Sequence, residues 1–142
     1  MRIVVDTNVV ISGLFFGGYP RKIIDAIIED KCQACATLEI IVEYEKVIDE
    51  VNEQYGNTFS GDLYYPFISK LDIVIPKSSI NICRDVDDNK FIECAIDSNS
   101  IFLISGDKDL LIIKQHEFVE ILTAKEFYER YLDIRQDNEP LN

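Results

Sequence analysis

The sequence predicts an α/β domain in which a central parallel sheet is covered by helices on both faces. Short runs rich in Val and Ile alternate with stretches whose apolar residues recur every three and four positions. The short runs are continuously apolar, as strands buried on both faces are, and acidic residues stand directly after two of them. Strands joined by helices imply right-handed crossovers, and such sheets bind ligands beyond the carboxyl ends of their strands.

Taken in order, "RIVV" reads as the first strand. A glycine-containing loop (Gly13, Gly17, Gly18) follows, and Pro20 opens a helix over "RKIIDAIIED" with Ile23, Ile24, Ile27 and Ile28 on one face. "CQACA" is a short strand. "TLEIIVEYEKVIDEVNEQY" is a long amphipathic helix capped by Thr37, with Ile40, Ile41, Tyr44, Val47, Ile48 and Val51 at spacings of three and four. "NTFSGDLYYPFISKL" reads as a further helix burying Tyr64, Phe67, Ile68 and Leu71, against the opposing signals of Gly61 and Pro66. "DIVIP" is the next strand, and "DDNKFIECAIDS" is a helix burying Phe91, Ile92, Ala95 and Ile96. "SIFLIS" is a strand, "DKDLLII" begins a helix, and "FVEIL" with the Thr123-capped "TAKEFYERYL" closes the series. Residues 1–133 are expected to form one domain, with 134–142 as a polar, frayed tail.

The chain has 142 residues, 47% of them apolar, and a net charge of -12. That charge excludes a nucleic-acid binder working by its global field, because tight phosphate contact needs clustered Lys and Arg. It leaves room for a local site, and converging carboxylates could hold a divalent cation. No apolar stretch reaches the roughly 18 residues of a membrane span, and the N-terminal run is broken by Asp6. A cytoplasmic protein is expected. Cys32, Cys35, Cys83 and Cys94 then read as small buried thiols. The "CQAC" pair has no second pair to complete a zinc site, and if it lies on a strand its thiols point to opposite faces.

Four acids are placed to share one sheet edge. Asp6 and Asp107 follow buried strands, Asp88 begins the helix leading into the second of these, and Glu43 lies early in the long helix. Each has an ordinary alternative: Asp6 and Asp107 as caps, one of Asp85, Asp87 and Asp88 as an N-cap, and Glu43 as a solvated helix residue. Brought together, the four would repel unless protonated or bridged by a cation. An all-oxygen set without His or Cys favours Mg²⁺ or Mn²⁺ over zinc.

Four segments, "VVDTNVVISGL", "IIVEYEKVI", "CRDVDDNKFIECA" and "LISGDKDLL", closely resemble the signatures of PIN-domain proteins, in the branch of toxins of toxin–antitoxin systems. The likeness runs from Met1 to about Tyr131. It implies a Rossmann-like three-layer α/β/α fold with strand order 3-2-1-4-5 and metal-dependent ribonuclease activity. It also implies metal-binding and catalytic roles for Asp6, Glu43, Asp88 and Asp107, with Thr7, Asn8 and Ser105 as supporting polar residues and Asp109 as an extra acid. The branch often has proline where Val86 stands here, which loosens a turn without touching a ligand.

The favoured reading is therefore a Mg²⁺- or Mn²⁺-dependent hydrolase of single-stranded RNA, the toxin of a toxin–antitoxin pair. A Mg²⁺-dependent phosphatase or phosphotransfer enzyme, and an inactive RNA- or protein-binding module, are the alternatives. "DTN" offers no second acid two residues on, which disfavours phosphotransfer. In the loop "GLFFGGYPRK", Phe15, Phe16 and Tyr19 offer stacking faces and Arg21 and Lys22 offer charge, so these residues are expected to touch substrate unless the aromatics cover the sheet edge or a dimer contact. Tyr55, Phe59, Tyr64 or Tyr65 is expected to leave an apolar patch for a homodimer or an antitoxin protein, the alternative being a cluster packed on itself.

Overall fold

The computed structural model describes residues 1–56 and 61–133 of the chain. Within them a sheet is built from β1 (Arg2–Val5), β2 (Gln33–Ala36), β3 (Asp72–Ile73), β4 (Phe102–Ile104), β5 (Gln115–His116) and β6 (Val119–Leu122). Its order is β3-β2-β1-β4-β6-β5. The five parallel strands follow the expected 3-2-1-4-5 order, and β5 is an added antiparallel edge strand. It pairs with β6 through a tight turn at Glu117, whose φ is 52°. A turn of this hand normally announces itself with Gly or Asn, so the sequence carried no signal for it.

The helices are α1 (Thr7–Phe15), α2 (Gly18–Ile28), α3 (Leu38–Gln54), α4 (Gly61–Ser69), α5 (Asn89–Asp97), α6 (Lys108–Leu111) and α7 (Ala124–Phe127), the last widening into a π-helical turn over Tyr128–Leu132. The segment expected to be a loop after the first strand is α1. Its Gly13 is a packing residue: a Cβ there would lie 2.7 Å from Ile24 Cγ1 and 2.8 Å from the Pro20 carbonyl oxygen. Glycine lets α1 and α2 cross at close range, and the true connection shrinks to Phe16 and Gly17, the latter at φ 89°. Hence α2 starts two residues before Pro20.

β1, β2, β4 and β6 are buried almost throughout, and Ile23, Ile24, Ile27, Ile40, Tyr44, Ile92 and Phe127 pack against them with at most 1% exposure. Each such side chain contributes about 1.5–3 kcal/mol by leaving water. The strand expected over "DIVIP" shortens to two exposed residues. Beyond it the backbone finds side-chain partners on α5 in place of a ladder. Asp97 accepts from the Lys77 and Ser78 N–H groups, Glu93 from Ile80, and Asn89 from Ile82 and Cys83.

The aromatic segment around α4 divides. Tyr64 is buried and donates to Glu45, whereas Tyr65 is 71% exposed. Tyr55 meets Phe16 edge-on. Phe59 and the tail from residue 134 lie outside the described residues. All four cysteines are buried and free. Among the described residues, no helix is long and apolar enough to cross a membrane.

Candidate active site

The site begins where β1 and β4 end side by side, with Val5 opposite Ile104. The Asp6 N–H donates to the Ile104 carbonyl at 2.9 Å, carrying the pairing one residue past the strand. Asp6 then caps α1, its Oδ1 accepting from the Asn8 N–H at 3.4 Å. Its Oδ2 accepts from the Ser105 hydroxyl at 2.7 Å. Cap and candidate ligand are thus the same residue. Asp6 is 4% exposed, and burial raises its pKa against the lowering effect of these donors, with Asp107 and Glu43 adding to the rise.

Asp107 repeats the device after β4. It caps α6 by accepting from the Asp109 N–H at 2.9 Å, and its own N–H donates to Ser105 Oγ at 3.0 Å. One serine therefore ties both acids to the sheet edge. Asp88 closes the arrangement from the turn that leads into α5. Asp85 caps the 3-10 turn Val86–Asp88 by accepting from the Asp87 N–H, which leaves Asp88 free to turn inward. Val86 is 71% exposed on that turn, so no proline is needed for it to form.

The acids crowd one cavity of about 250 Å³, bordered by Asp6, Glu43, Asp85, Asp87, Asp88 and Asp107. One carboxylate oxygen from each of Asp88, Asp107 and Asp109 lies within 4.8 Å of the others. Asp6 stands beside this trio, linked to it through Ser105. At about 4 Å and an effective dielectric near 20, two carboxylates repel by about 4 kcal/mol. Accordingly the pKa of Asp88 rises to about 7, through burial first and the Asp107 charge second. Its Oδ2 is buried and has no hydrogen-bond partner among the described residues. An orphaned buried carboxylate oxygen facing other carboxylates fits a hard divalent cation as the missing partner.

Glu43 sits differently. The Thr7 hydroxyl donates to its Oε2, and Lys90 Nζ donates to its Oε1 at 2.6 Å. Both carboxylate oxygens of Glu43 are thus engaged where it borders the cavity. Burial pulls the Lys90 ammonium down, but the hydrogen bond and charge of Glu43 outweigh it and leave its pKa raised. Lys90 escaped the sequence reading because a lysine in the first turn of a helix looks like a solvated residue. Asn89, which holds the 82–83 backbone over α5, escaped it too.

The basic residues expected at the substrate do not border this cavity. Arg21 pairs with Asp25 on its own helix. Lys22 lies over the rings of Tyr19 and Tyr128 and borders a separate cavity with Asp25 and Glu29. Phe16, 61% exposed, packs against Tyr55. Arg21 and Lys22 lie on α2 facing Asp25, Tyr19 and Tyr128, away from the acids of the cavity.

Comparison with known proteins agrees with this geometry. The family model described as PIN domain matches residues 2–109, a span that includes every acid bordering the cavity. The uncharacterized protein MJ1680 of Methanocaldococcus jannaschii is 33% identical over 143 aligned positions, covering 92% of this chain and 92% of that protein. No solved structure matches significantly.

Proposed function

Because the chain belongs to the PIN-domain family, whose members are typically metal-dependent nucleases, we propose that it is an endoribonuclease hydrolysing phosphodiester bonds of single-stranded RNA with Mg²⁺ or Mn²⁺. The observation that supports it most is the buried, unpartnered oxygen of Asp88 in an acid-lined cavity beside Asp107. Asp6, Asp88 and Asp107 would hold the cation, with Asp109 adjoining. A divalent cation bound there supplies a water acidic enough to attack near neutral pH and stabilises charge on the departing oxygen.

The remaining work falls to the chain's own side chains. Ser105 fixes the spacing of Asp6 and Asp107 from the sheet edge. Glu43, held by Thr7 and Lys90, orients groups at the opposite wall. Asn8, exposed in the first turn of α1, offers its amide to the strand.

The likeness of the four motifs to the toxin branch supports a role as toxin, with an antitoxin protein and a second copy of the chain as partners. The test is a gel assay of purified protein on mixed single-stranded RNAs with Mg²⁺, Mn²⁺ or chelator. Cleavage that needs the cation and disappears in Asp6→Asn is the expected result. Cleavage that persists in chelator, or none with either cation, overturns the reading. Growth arrest on expression of wild type but not Asp6→Asn tests the toxin role separately.

A further inference from the structure

A second cavity, of about 380 Å³, adjoins the acids. Its size lies within the roughly 300–1,000 Å³ of small-ligand sites. The two cavities share a wall, since Asn8 and Asp107 border both. Across that wall the chemistry changes from carboxylate to apolar and aromatic: Tyr19 and Pro20 form one side, with the hydroxyl of Ser12 and the amide of Asn8 as polar groups and exposed Lys125 beside them.

Tyr19 is held before any ligand arrives. Its hydroxyl donates to Glu129 at 3.2 Å, its ring lies 5.7 Å from that of Tyr128, and the Lys22 ammonium stands 5.1 Å from its centroid. A wall that is already ordered loses little entropy on binding. Lys125 enters no ion pair among the described residues. It is the cation bordering this cavity.

We infer that this cavity is a nucleobase subsite, receiving the base of the nucleotide next to the scissile phosphate. The inference rests on the nuclease reading, which places that phosphate at the acids. A base is flat, stacks on an aromatic or proline face, and hydrogen-bonds at its edge, which is what Tyr19, Pro20, Ser12 and Asn8 together offer. Lys125 supplies charge to the next phosphate of the strand. A local cation of this kind is what a chain at -12 requires to hold RNA at all.

The test is a titration of the isotopically labelled full chain, in Mg²⁺, with nucleoside 5′-monophosphates and with ribose 5-phosphate. The amides of Ser12, Tyr19 and Ala124 are expected to shift with the nucleotides and not with the sugar phosphate. Ser12→Leu, which fills the cavity, should weaken that response at least tenfold. Lys125→Ala, at an exposed position that cannot upset folding, should raise KM for short RNA several-fold with kcat nearly unchanged. Equal shifts with both ligands, or none with either, overturn the subsite. If the protein cleaves RNA but Ser12→Leu and Lys125→Ala leave KM and base preference untouched, the subsite falls and the nuclease reading stands. If nucleotides shift these amides while no RNA is cleaved, the cavity binds a base but its place beside a scissile phosphate falls with the nuclease reading.

Discussion

The Tyr44 hydroxyl donates to the main-chain carbonyl of Val5 at 2.5 Å, with Tyr44 only 1% exposed. Tyr44 follows Glu43 and Val5 precedes Asp6, so one buried bond sets α3 against the end of β1 where the two acids face the same cavity. Burial pushes the Tyr44 phenol well above its usual range, which keeps it a donor at any physiological pH.

Tyr44→Phe keeps the ring and leaves the buried carbonyl without this partner. The expected cost is about 1–2 kcal/mol, read as a fall in Tm of roughly 3–8 °C. Cation-dependent cleavage should drop on the order of tenfold, as α3 shifts relative to β1. An unchanged Tm and rate would show that the bond positions nothing.

In the metal-free protein, stability should fall as pH rises. Asp88 titrates near 7 when folded and near the ordinary 3.8 when unfolded, so between those values the folded chain holds a proton the unfolded chain has released. The contribution is full below about pH 4 and is lost as pH approaches 7. Asp6, also raised, acts in the same direction. In chelator, Asp88→Asn should therefore raise Tm at pH 8 by about 2–5 °C while abolishing the stabilisation that Mg²⁺ or Mn²⁺ gives wild type. Melting curves at pH 5 and pH 8 check both signs.

Asp97 runs the other way. Burial is the largest single influence and raises it, but the donors from Lys77 and Ser78 together with the Lys77 charge outweigh it and lower its pKa. Its contribution is present above the unfolded pKa and disappears as pH falls through the folded one. Asp97→Ala should destabilise the protein at pH 7 and much less at pH 3, with the 77–83 segment losing its hold on α5. Hydrogen exchange at Lys77 and Ser78 reads this directly.

Asp6→Asn and Asp107→Asn each keep shape and remove a charge, and either should slow cleavage by about a thousandfold, or about 4 kcal/mol of barrier. Asp85→Asn should stay within roughly threefold of wild type, because Asn caps a turn as well as Asp does. A dead Asp85→Asn with an active Asp88→Asn would exchange the roles assigned to the two residues.

Lys90→Met separates affinity from activity. Removing an ammonium beside the acids should tighten Mn²⁺ binding about three- to tenfold by calorimetry. Glu43 would keep only Thr7 as a partner, so cleavage should fall even as the cation binds better. Parallel loss of both would show that Lys90 helps to retain the cation.

The sequence by itself determined the order of the strands from β1 to β4 and of the helices between them other than α1, because the buried strands among these are short apolar runs and the covering helices α2, α3 and α5 show three-four periodicity. It also placed Asp6 and Asp107, since a polar residue directly after a buried strand has to stand at the sheet edge. The tertiary structure alone decided three things. Gly13 reads as a loop residue until the 2.7 Å approach of Ile24 shows that it allows two helices to cross. Among Asp85, Asp87 and Asp88, three acids of one type in one segment, only the turn geometry selects which carboxylate is used as cap and which is left buried without a partner. The Lys90 and Glu43 pair joins residues 47 apart in sequence, and no local pattern encodes such a contact. Burial and periodicity are properties of a segment and can be read along it. The choice among equivalent charges depends on what each one faces, and that exists only once the chain has folded.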